Sequence, residues 1–175
     1  MIGLRTHRKL VEARRVTRTK IRIPDDRELR VQLDQEYETA SQTELCRYAR
    51  VLSEHILRLL DDAELHHEPV DDAFIGNAFR IHEQWMAGEA RMTDVRQVSF
   101  RIHQMARASG NPAVCAALRV VGHAMACAHM REHAMVASDY AVKVISLLHP
   151  DCMESVREER LWQIHHLQEV KSTNE

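Results

Sequence analysis

Residues Pro112–Leu148 read PAVCAALRVVGHAMACAHMREHAMVASDYAVKVISLL; from Ala113 to Ala128 almost every position is small and apolar, and the same character resumes from Ala134. A helix that is hydrophobic all round belongs at the centre of a domain, and its alanines let neighbours approach closely. Arg119 and His123 interrupt the run, so it reads as a buried helix rather than a membrane span. One unbroken helix of this length would be long for a compact domain. A break near His129–Arg131 is therefore expected, giving an antiparallel or sharply bent pair.

The flanking segments supply the rest of a helical bundle. Upstream, SGNP (Ser109–Pro112) is a turn, with Asn111 as cap and Pro112 as first helical residue. Before it, Thr93 caps a helix whose inner face is Val95, Val98, Ile102 and Met105. The preceding helix carries Phe74, Ala78, Ile81 and Trp85 on one stripe, with Ile75, Phe79 and Met86 beside it. Gly88 closes it. SQTE (Ser41–Glu44) is a capping box, followed at helical spacing by Leu45, Tyr48, Ala49, Leu52, Ile56, Leu59 and Leu60. Downstream, Pro150 stops the central pair. A last amphipathic helix over Glu154–Val170 docks Val156, Leu161, Trp162, Ile164 and Leu167. No stretch alternates with period two. The expected fold is all-α, a single-domain helical bundle of about six helices over residues 41–170 around a central Ala-rich helix pair. A basic then acidic arm (1–40) precedes it and a short tail (171–175) follows.

A chain of 175 residues with 45% hydrophobic and 29% charged residues has enough apolar matter for one full core, which excludes a disordered protein. The N-terminus has charges every few residues and no apolar leader. Cys46, Cys115, Cys127 and Cys152 form no CxxC pair, so a reducing, cytoplasmic location is expected. There is no P-loop, GxGxxG or GxSxG elbow, and no cofactor is expected. Charge is uneven. Arg5, Arg8, Lys9, Arg14, Arg15, Arg18, Lys20 and Arg22 face Glu12 alone before IPDD (Ile23–Asp26) ends the basic run. Such an arm is either a solvated leader or a contact for nucleic acid, with the leader preferred.

Two constellations carry candidate chemistry. HMREH (His129–His133) matches the HxxEH signature of zinc peptidases. On a continuous helix His129 and His133 would lie about 40° apart on one face and share a metal, with Glu132 as base. Glu154, Glu158 or Glu169 would supply a third ligand. The expected break opposes this hydrolase reading. The other reading is a polar network or pocket: Arg119, His123, His129 and His133 partnered by His103, Arg107 and Glu89, holding the register of Ala-rich helices. Cys127 stands four residues from His123, but its apolar neighbours favour an inert thiol. DDAELHHEPVDD holds six carboxylates, Asp61, Asp62, Glu64, Glu68, Asp71 and Asp72, with no Lys or Arg. It is either a solvated link or an acidic docking surface.

HEQWMAGEA, RIHQMARASG with the run after it, and the closing EERLWQIHHL resemble the immunity-protein-five-like family, small bacterial all-helical domains of polymorphic toxin systems. The likeness covers about residues 42–168. It rests on Trp85, Gly88, Glu89, His103, Arg107, Arg119, Gly122, His123, His129, His133 and Tyr140. Two positions depart from the family pattern: Ala73-Phe74-Ile75 replaces an Arg-Pro-Arg run, and Glu132 falls where the pattern varies. A helix breaker often stands where this chain has Arg131. The resemblance implies a non-catalytic protein that neutralises a toxin, with a protein partner preferred to nucleic acid and a homodimer left open. A basic toxin would be steered to the acidic link.

Overall fold

Asn111 starts the helix around which the others assemble. Its side-chain oxygen accepts the amides of Ala113 and Val114 at 2.8 and 3.3 Å. Pro112 follows, where no amide partner is needed. The computed structural model describes residues 19–65 and 71–173. Among these residues it has seven helices: α1 (Arg27–Thr39), α2 (Gln42–Asp62), α3 (Asp72–Met86), α4 (Met92–Ala108), α5 (Pro112–Ala126), α6 (His133–Leu148) and α7 (Met153–Ser172). There is no strand among them, so the all-α expectation holds.

The central position of α5 follows from its alanines. Ala116, Ala117, Ala124 and Ala126 are buried, and α2, α4 and α6 pack against it. Leu45, Leu52, Ile56, Ile102 and Met125 fill the spaces between, each fully or almost fully buried. The helix breaks where expected. α5 ends at Ala126, residues 127–132 turn, and α6 returns along α5 as its most extensive neighbour. Ser41 and Glu44 form the expected reciprocal cap of α2. Gly88 takes φ +78° after α3, a conformation that suits a residue without Cβ.

Two local expectations are corrected. α4 starts at Met92 rather than behind a Thr93 cap, because the Asp94 carboxylate takes the Arg91 amide and guanidinium. The seventh helix, α1, lies in the stretch expected as a charged arm. Asp26 caps it by accepting the amides of Glu28 and Leu29, and Leu29, Leu33 and Tyr37 form a narrow buried stripe. That stripe docks on α7, joined by charged residues that periodicity does not count.

Those charges form a buried network. Asp139 of α6 accepts from Arg30 Nε at 3.1 Å and from Arg160 Nη2 at 2.9 Å. Arg160 also grips Asp25 through two bonds, at 2.7 and 2.9 Å. Its Nη1 donates to Gln163 Oε1, and Gln163 in turn donates to Ser138 O and Glu159. The fully buried Arg160 thus joins α6 and α7 to the segment before α1. No helix among the described residues is long and apolar enough to cross a membrane.

Candidate functional site

On the three packed helices α4, α5 and α6, the residues left uncovered line up. Of α5's residues 113–126 only Cys115, Arg119 and His123 escape full burial, spaced four apart on one stripe. α6 contributes His133 and Tyr140, and α4 contributes His103 and Arg107. The result is a continuous chain of rings. Arg119 Nη1 donates to His103 Nδ1 at 3.1 Å. The His103 ring meets His123 edge-on at 4.7 Å between centroids. His123 Nδ1 and His133 Nδ1 are 2.9 Å apart and share a hydrogen bond. Tyr140 stacks on His123 at 5.4 Å, and His129 lies 5.2 Å from His133.

The break between α5 and α6 makes this contact. In a continuous helix residues 123 and 133 would be separated by about 15 Å along the axis. Arg131 holds the turn. Its Nη2 donates to the carbonyls of Tyr37 and Ala40 at 2.7 and 3.1 Å, and its guanidinium sits 4.6 Å above the Tyr37 ring. Gly122 makes the other contact. An added Cβ would stand 2.6–2.9 Å from three atoms of the His103 ring, so the ring rests directly on the backbone of α5.

Burial and surrounding cations keep these histidines neutral. Desolvation, with Arg119 next, depresses His103 to about 4. Desolvation, with His103 and His133 next, depresses His123 to about 3. His133 is lowered for the same first reason, then by His129 and Lys20, while Glu132 opposes the shift. The neutral state fits the geometry, since the Nδ1–Nδ1 bond needs one N–H and one lone pair.

The structure brings His103, Arg119, His123, His129, His133 and Tyr140 together. Arg107 stands exposed one turn beyond His103, near enough to help depress it. Glu89 is not brought in. It is exposed in the turn before α4, and His103 lies about 16 Å further along that helix. The zinc arrangement does not form. His129 sits in the turn, Glu132 immediately precedes α6 without a side-chain capping bond, and Glu169 is bonded to His165. Among the described residues no group of three or more His, Cys, Asp or Glu is placed to hold a metal ion. Cys127 is a fully buried free thiol whose Sγ donates to the Arg131 carbonyl at 4.0 Å rather than to His123.

In the acidic link, Asp61 and Asp62 end α2 and Asp72 opens α3. Glu64 takes φ 54°, and Asp71 caps α3 by accepting the Phe74 amide. Glu68 lies outside the described residues, as does the basic arm apart from Lys20 and Arg22. Sequence reasoning missed Lys20 as a neighbour of the His123–His133 pair. It also missed the ring stack His55–Trp162–His166, with both centroid distances 3.9 Å. The available signal for the second was Trp162 and His166 at i, i+4 on α7.

An all-α domain with a ring-lined, cationic face across its central helices is what the chain builds. Residues 35–170, from α1 to the last turns of α7, match the family model described as "Imm-5 like putative immunity protein", and the chain belongs to that family. No curated protein and no solved structure matches it.

Proposed function

We propose that the protein binds a toxin and neutralises it by occupying its surface, without catalysis. The family match carries this reading. It runs from within α1 to α7 and so spans nearly the whole helical core rather than a local motif. The surface fits a binding role. The HxxEH residues are split between a turn and a helix start, and the uncovered polar residues of α4–α6 form a face built from three helices.

The test is to identify the genes neighbouring this one and to coexpress the chain with a growth-inhibiting protein that they encode. Growth rescued by the wild-type chain, with a stable complex on size-exclusion chromatography, supports the reading. Purified chain that neither binds that toxin nor restores growth overturns it. Mixing the chain with toxin substrate alone checks the absence of catalysis, since turnover by the chain would contradict a purely stoichiometric inhibitor.

A further inference from the structure

The α4–α5–α6 face carries more positive charge than its own acids compensate. Arg96, Phe100, His103 and Arg107 lie on one stripe of α4, beside Arg119 and His123 of α5 and His133, Tyr140 and Lys143 of α6. Lys20 approaches the His123–His133 pair from the segment before α1. Three acids occur between residues 92 and 148. Asp94 is bonded to Arg91, and Asp139 is buried between Arg30 and Arg160. That leaves Glu132, which borders His133.

The composition favours a protein over nucleic acid as the occupant. Arginine, aromatic residues and methionine mark protein interfaces, where lysine is depleted. The face carries three arginines, Arg96, Arg107 and Arg119, with the rings of Phe100 and Tyr140, against two lysines, Lys20 and Lys143. Among the described residues, Phe100 is 56% exposed one turn before His103, and Met130 is 47% exposed beside His129. We propose that this face is the docking surface for a protein partner that places a carboxylate side chain against Arg119, His103, His123 and His133. The inference takes from the toxin-binding reading only that the partner is a protein.

A carboxylate there has a distinctive consequence. The His123–His133 pair accepts one proton with its Nδ1–Nδ1 bond intact, if the proton goes to the outer nitrogen of the donating ring. A proton on the accepting Nδ1 would set two N–H groups against each other at 2.9 Å. Arg119, Lys20, His103 and His129 oppose that proton, and Glu132 favours it. An arriving carboxylate shifts the balance, so docking raises the pH at which the pair takes up that proton.

The experiment titrates the full chain with a short poly-L-glutamate peptide at low salt, following the histidine ring resonances by NMR. Saturable shifts at His123 and His133, with their titration displaced upward in the complex, are expected. Arg119→Gln weakens binding about tenfold by removing a charge-assisted contact. Arg80→Gln, on the exposed face of α3, leaves it unchanged. Phe100→Asp, at an exposed position that leaves the fold intact, weakens it too. Peptide that moves no histidine of the chain overturns the proposal, as does equal weakening by Arg80→Gln, which would mean diffuse attraction. An oligouridylate of equal length binding more tightly than the peptide overturns it in favour of nucleic acid. The same variants are then run against the toxin beside a charge reversal of Asp61, Asp62, Glu64 and Asp72. Toxin that binds Arg119→Gln and Phe100→Asp like wild type, but not the reversed link, overturns the face and leaves the immunity reading standing. Toxin that never binds removes the immunity reading, and the peptide titration alone decides the face.

Discussion

Gly122→Ala tests the ring chain at the contact where sequence and geometry meet most closely. On an ordinary helix the substitution stabilises by about 1 kcal/mol, because alanine is the better helix former. Here the new methyl would lie 2.6 Å from His103 Cε1 and 2.7 Å from Nδ1. The ring relieves that clash by swinging away, which breaks the Arg119 Nη1 bond and the edge contact with His123. Crowding of this kind costs about 1–3 kcal/mol, and a hydrogen bond to a charged group contributes about 1.5–3 kcal/mol. Set against the helix gain, the expected net loss is about 2 kcal/mol. In a His103→Ala background nothing remains to collide, and Gly122→Ala becomes stabilising by up to about 1 kcal/mol. Urea denaturation of the four variants gives a coupling near 3 kcal/mol. A Gly122→Ala chain as stable as wild type while His103 is present refutes the seating of the ring on α5.

Acid should destabilise the fold through the same cluster. The depressed histidines bind fewer protons folded than unfolded. Stability is therefore complete above the unfolded value near 6.5 and falls as pH drops toward the folded values of about 4 and about 3. For His123 the loss by pH 4 is roughly 2 kcal/mol after allowance for its partial exposure. Urea midpoints measured across this range should fall less in His123→Gln, and equal slopes would contradict the assignment. Arg160→Ala leaves Asp139 and Asp25 short of their shared cation and should cost about 3–5 kcal/mol in urea unfolding. A loss below about 1 kcal/mol would show the network to be dispensable. Arg131→Gln removes the anchor on the Tyr37 and Ala40 carbonyls, costs about 2 kcal/mol, and should disturb the His123 and His133 resonances. Unchanged resonances would mean that the turn holds itself.

The order of helices was legible because each carries a local physical mark. The Ser41–Glu44 box, Asn111-Pro112 and Gly88 act within a few residues of themselves, so their geometry needs no partner from elsewhere in the chain. α1 was not legible for the opposite reason. Its stripe of Leu29, Leu33 and Tyr37 is thin, and much of what ties it down is Arg30, whose partner Asp139 lies more than a hundred residues away. Charge reads as surface until its counter-ion is known. Arg160 and Gln163 show the same limit, for they continue the core stripe of Val156 and Leu167 at helical spacing. A charged residue on a core stripe was the trace the network left in the sequence.

The histidines sit between these cases. Their grouping followed from spacing and family likeness, but which ring touches which depended on the turn at 127–132. A pair ten residues apart becomes a hydrogen-bonded pair only when the chain folds back, while the HxxEH pair loses its shared helix face by the same turn. One structural event therefore removes the hydrolase geometry and creates the ring chain. That event is held from outside by α1, since Arg131 bonds the carbonyls at its C-terminal end. The helix hidden within the charged arm is thus part of what shapes the face, and the segment leading into it brings Lys20 to the same pair. On this reasoning α1 and the segment leading into it shape the ring chain together with the central helices, and a chain shortened to its Ala-rich core would keep the histidines without the anchor of the turn that joins them.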